Sequence, residues 1–88
     1  MVQEIKDTKP YQTKDLLENI VLSAHGFHPV STYTDTYGKS GKAVWFQYEG
    51  SKEFFDLLNK LDRREVRMLP QDYSNAEREV KNIIYRDR

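Results

Sequence analysis

The residues best suited to chemistry in this chain are few, and their spacing narrows what they do. His25-Gly-Phe-His28 is the one histidine pair in 88 residues, and there is no cysteine. A zinc site takes three or four ligands, so only added carboxylates would complete one here, and the pair reads as a polar helix end. Gly38-Lys39-Ser40 matches the tail of a phosphate-binding loop. The full motif needs a glycine five residues before its Gly-Lys, where Tyr33 stands, and must join a strand to a helix. The segment reads better as a hairpin turn. Nucleophilic catalysis needs a hydroxyl beside a base and an orienting group, and the sequence holds no such constellation. The expectation is a protein that is not an enzyme and uses no metal or cofactor.

The chemistry left over is that of recognition. Tyr33, Trp45, Phe55 and Tyr85 have no evident place on the apolar stripes of their elements, and Leu22 also points off its stripe. Rings of this kind beside arginine and polar groups have the makeup of a protein-binding hot spot. Tyr33, Trp45, Gln47, Phe55, Arg78, Asn82 and Tyr85 are therefore the candidate partner-binding residues, and a protein partner is expected. A second reading is a nucleic-acid-binding module. In it Tyr33, Trp45 and Gln47 form a stacking surface, with Lys39, Lys42, Arg63, Arg64 and Arg67 as its basic rim. A third is a pocket that sequesters a nucleotide signal.

Charge weighs on that choice. Fourteen Lys and Arg balance fourteen Asp and Glu, and the signs are interleaved. Nucleic-acid binders usually carry a basic excess or stripe, because displaced counterions supply much of their affinity. The balance here favours protein. The longest aliphatic run is Ile20-Val21-Leu22, against the roughly 20 apolar residues that span a bilayer. Glu4, Lys6, Asp7 and Lys9 stand where a signal peptide would be apolar. No membrane partner and a cytoplasmic location are expected.

The elements that position these residues can be read in turn. Residues 1–12 are polar and aperiodic, a flexible arm or an edge strand ahead of a single domain over 13–88. Leu16, Leu17, Ile20, Val21 and Ala24 form a helical stripe, with Thr13 as its N-cap and Gly26 as its left-handed stop. Phe27 falls where a C-terminal staple would meet Leu22. The β-branched and aromatic run Val30 to Tyr37, the turn Gly38 to Gly41 and the run Ala43 to Glu49 predict a hairpin. Val44, Phe46 and Tyr48 share one face of its second strand, while Ala43, Trp45 and Gln47 share the other. A helix follows with Phe54, Leu57, Leu58 and Leu61 inward. Glu65-Val-Arg-Met68 alternates like a short strand. Pro70 opens a last helix, with Tyr73, Ala76, Val80, Ile83 and Ile84 inward and Arg78, Asn82 and Tyr85 outward. The fold class is α+β: a small antiparallel sheet, a hairpin plus a short third strand, packed by three helices in the order α-β-β-α-β-α. An N-terminal edge strand would make it ferredoxin-like with an extra C-terminal helix.

Thr13-Lys14-Asp15-Leu16, Gly26-Phe27, Val44-Trp45-Phe46, Val66 followed by Pro70, and Val80-Lys81-Asn82-Ile83-Ile84-Tyr85 together carry a further signal. In these residues the chain, over roughly Thr13 to Asp87, resembles a family of short phage and prophage proteins of unknown function. Members tend to have a polar cap before the proline of the last helix, and Leu69 stands there in this sequence. The resemblance brings no catalytic residues. It implies a phage-type accessory protein in the host cytoplasm that binds a host or phage protein stoichiometrically, a host-defence component such as a CRISPR effector among them.

Overall fold

The computed structural model describes residues 8–37 and 41–87. Its elements are β1 (Lys9–Thr13), α1 (Leu16–Ala24), β2 (Ser31–Tyr37), β3 (Gly41–Gly50), α2 (Lys52–Asp62) and α3 (Pro70–Asp87). The fold is α+β, three helices on one small antiparallel sheet, as the sequence predicts. The strand order is β1-β3-β2, with β3 antiparallel to both neighbours. β1 and β2 therefore run parallel at the two edges, joined through α1 as a split β-α-β unit.

The third strand comes from the N-terminal side. Glu65-Val-Arg-Met68 forms no strand, so the element order among the described residues is β-α-β-β-α-α. The alternation there has another cause. Val66 and Met68 turn toward the core and are half-buried, while Glu65 and Arg67 are exposed, and among the described residues no strand lies alongside to pair with them.

Helix ends follow local chemistry. Thr13 does not cap α1; it closes β1, is buried, and its Oγ1 accepts from the Asp15 amide at 3.1 Å. Asp15 is the cap, accepting from the Glu18 amide at 3.0 Å. At the other end Gly26 has φ +86°, Phe27 N–H donates to the Leu22 carbonyl at 2.9 Å, and Gly26 N–H donates to Ser23 at 3.0 Å. That is the double closure of a Schellman motif. α2 ends the same way, with Glu65 donating to Lys60 at 2.9 Å and Arg64 to Leu61 at 3.0 Å. Here the left-handed position holds Arg64, at φ +58°. A side chain at that φ costs about 1 kcal/mol that glycine avoids. Arg64→Gly is expected to raise stability by up to about 1 kcal/mol in urea titrations. A loss of stability would mean that the arginine side chain stabilises more than its backbone costs.

One face of the sheet makes the core. Val44, Phe46 and Tyr48 pack with Ile20, Val21 and Leu22 of α1, Phe54 and Leu57 of α2, and Ala76 and Val80 of α3. Leu22, expected to be off the stripe, is fully buried, and Leu16 and Leu17, expected on it, are 40% and 49% exposed. The reason is that α1 packs against both α3 and α2 and reaches β3 through Asn19, so its buried surface is centred on residues 19–22.

The core holds one polar pair. Tyr48 Oη donates to Asn19 Oδ1 at 2.6 Å, and Asn19 Nδ2 donates to the Asp15 carbonyl at 2.9 Å. Burial, with the Glu18 charge adding, pushes the Tyr48 hydroxyl well above the ordinary phenol value. In the unfolded chain it ionises near pH 10. Its contribution is complete below that pH. Above it the unfolded state sheds a proton the native state keeps, so stability falls by up to about 1.4 kcal/mol per pH unit from this residue. Urea midpoints measured across that range should fall less steeply for Tyr48→Phe. Equal slopes would contradict this account.

Candidate functional site

The opposite face of the sheet carries no described element. Register places Tyr33 opposite Trp45, Ser31 opposite Gln47 and Gln12 opposite Gln47, all on this outer face. Period-2 alternation forces the arrangement: once Val44, Phe46 and Tyr48 are buried, the residues between them must point away.

Tyr33 and Trp45 lie parallel, with centroids 6.2 Å apart and 8° between planes. Lys14, which follows β1, holds its Nζ 5.4 Å from the Trp45 ring centre, a cation–π distance. Tyr33 approaches the indole from the β2 side and Lys14 from the β1 side, because β3 is the central strand. Both flanks of the ring are thus lined. Tyr33 Oη donates to Gln12 Oε1 at 3.4 Å, and Ser31 Oγ donates to Gln47 Oε1 at 2.5 Å. Trp45 is half-buried, and its indole N–H is enclosed without a hydrogen-bond partner among the described residues.

Beyond the end of β1, on the helical side of the sheet, a groove of about 350 Å³ is lined by Lys14, Leu16, Lys42, Val44, Ile84 and Tyr85, among others. Tyr85 is 66% exposed there. The structure therefore brings Tyr33, Trp45 and Gln47 together on the outer face, while Tyr85 and Lys42 line the groove on the helical side, which Lys14 also borders. Sequence reasoning missed Gln12, Lys14 and Ser31. Gln12 would have followed from the alternation of β1, had that strand been legible.

The remaining candidates lie elsewhere. Phe55 packs edge-on against Tyr11 at 6.0 Å and Phe54 at 5.2 Å. It also crowds Gly50, where a Cβ would come within 2.5 Å of its ring. Arg78 and Asn82 are exposed on α3, and Asn82 borders a groove between α3 and the start of β2 with His28, Val30 and Arg86. Arg63 pairs with Glu65 at 3.2 Å, and Arg67 is exposed in the α2–α3 connection. Arg64 lines a groove of about 830 Å³ on the helical side, beside Asp15, Glu18 and Asp62. Lys39 lies outside the described residues.

The histidines do not converge on a ligand set. His25 Nδ1 meets the Val21 carbonyl at 2.9 Å, and His28 Nδ1 lies 3.7 Å from Glu79. Tyr11 Oη donates to Glu18 Oε1 at 2.5 Å, and burial together with that carboxylate raises its pKa. Asp87 accepts from Thr32 Oγ1, which with Arg86 holds its carboxyl below the usual range. These shifts arise from contacts that tie elements together. No helix among the described residues is long and apolar enough to cross a membrane.

A family model described as Domain of unknown function (DUF5659) matches residues 8–86, from just before β1 into the last turn of α3. Neither the curated proteins nor the solved structures gave a match to the chain.

Proposed function

We propose that this chain, which belongs to the DUF5659 family through the match over residues 8–86, is a non-enzymatic binding protein that docks another protein on the outer face of its sheet. The observation that carries the reading is the Tyr33–Trp45 pair, set on a face that no described element covers. Around it Gln12, Ser31 and Gln47 offer hydrogen-bonding groups, and Lys14 flanks the indole. A rigid aromatic centre ringed by polar groups is the anatomy of a protein-docking surface.

The nucleic-acid reading gains less support. Base stacking needs open ring faces, and Trp45 is flanked by Tyr33 and Lys14. The arginines meant to hold phosphate lie on the other side of the molecule, Arg64 among three carboxylates. In the phage-type setting that the sequence resemblance implies, the partner is a host or phage protein, a host-defence component such as a CRISPR effector among them, met in the host cytoplasm.

Affinity capture with the purified chain should recover a protein that the double variant Tyr33→Ser, Trp45→Ser loses and Arg67→Ser retains. Labelled single-stranded nucleic acid at low salt should show no saturable binding. Capture that survives the double variant, or salt-sensitive nucleic-acid binding, would overturn the reading.

A further inference from the structure

The two edges of the sheet differ in how they are protected. β1 is five residues long and includes Lys9 and Pro10. A short edge with a lysine and a residue lacking an N–H discourages an added strand. β2 has none of these devices. It runs seven residues, Ser-Thr-Tyr-Thr-Asp-Thr-Tyr, with no lysine, proline or glycine and with Asp35 as its one charge. Its outer row of N–H and C=O groups faces no strand among the described residues. Such an edge is satisfied by another extended backbone.

The β2 sequence is complementary to itself. With Thr34 opposite its own counterpart in an antiparallel pair, Thr32 faces Thr36 and Tyr33 faces Asp35. Thr–Thr pairs are favourable, and no like charges stand directly opposite; the two Asp35 carboxylates fall on a diagonal, about 7–8 Å apart. The side chains also sort correctly by face. Tyr33 and Asp35 share the outer face with Trp45 and Ala43, and the threonines share the inner face. On that inner face Thr32 donates to the Asp87 carboxylate and Thr34 to the Asp87 carbonyl, which anchors the end of α3 beside the edge. The chain's zero net charge gives two copies no long-range repulsion.

We propose that two copies pair through β2, antiparallel, with Thr34 on the two-fold axis. The product is an isologous dimer with one continuous six-stranded sheet. The Tyr33–Trp45 pairs of the two copies then stand side by side on one outer face. This proposal does not depend on the docking reading, since the edge uses backbone groups rather than the rings.

Sedimentation equilibrium of the full chain is the test. The wild type is expected to approach twice the chain mass as concentration rises through the micromolar range. Thr34→Lys sets two ammonium groups directly opposite and should hold the protein at monomer mass. Thr34→Val loses the same hydroxyl but keeps a β-branched side chain, so it should still dimerise. Asp35→Asn removes the diagonal repulsion and should tighten the dimer several-fold. Circular dichroism establishes that each variant is folded, and if Thr34→Lys is not, Asp35→Asn decides alone. The proposal is overturned by a wild type that stays monomeric, by a folded Thr34→Lys that dimerises as well as wild type, or by an Asp35→Asn dimer no tighter than the parent.

Discussion

Phe54→Ala is expected to cost about 3–5 kcal/mol, the largest effect of any single truncation in this chain. Phe54 is 1% exposed and lies at the centre of an aromatic cluster. Tyr48, Phe27 and Tyr11 contribute rings at 5.3, 5.5 and 5.6 Å, and Phe55 another at 5.2 Å. These rings come from β1, β3, the loop after α1 and α2 itself, so the hole has walls that cannot all move inward together. A domain of this length has a total stability of only about 4–13 kcal/mol. The variant should therefore be marginal or unfolded at room temperature, read from its urea midpoint. Phe55→Ala should lose clearly less, because that ring is half-buried and partly wet. A loss from Phe55 equal to that from Phe54 would contradict the placement of the core.

Asn19→Leu comes next in size. Asn19 is 1% exposed and sits between the Tyr48 hydroxyl and the Asp15 carbonyl. Leucine fills the space but leaves the buried tyrosine donor without its acceptor, while the Asp15 carbonyl keeps the backbone N–H of residue 19 at 3.1 Å. An orphaned buried donor costs about 1–3 kcal/mol, and the loss should be of that size. Adding Tyr48→Phe to Asn19→Leu removes that orphan and should recover much of the loss. The two changes together should thus cost less than their separate losses summed. Strict additivity would mean that the buried hydrogen bond does not couple α1 to β3.

How far these features were legible in the sequence varies by element. The two faces of β3 could be read residue by residue, because alternation survives wherever one face is buried. The stop at Gly26 was equally plain, since glycine before an apolar residue has a local meaning. β1 was harder. Its five residues, Pro10 among them, pair with β3 more than thirty positions later, and that register is set by contacts no local pattern records. Glu65 to Met68 misled in the opposite sense: alternating burial produced a strand pattern with no neighbour among the described residues to complete a ladder. Leu22 was misplaced because a helix packed against two other helices buries more than one stripe. For the candidate site, the rings on β2 and β3 were visible, but Lys14 was not, because its approach to Trp45 depends on where β1 ends. Phe55 and the arginines after α2 were singled out by composition alone, and the fold takes them away from the aromatic pair.

The central claim is that the outer face of the sheet receives a protein partner. A photo-crosslinking side chain installed in cells at position 33, and separately at position 67 on the helical side, tests it directly. The account predicts an adduct heavier than two chains from position 33 and none from position 67. Adducts of that size from position 67, with position 33 yielding none, would place the partner on the helices and contradict it.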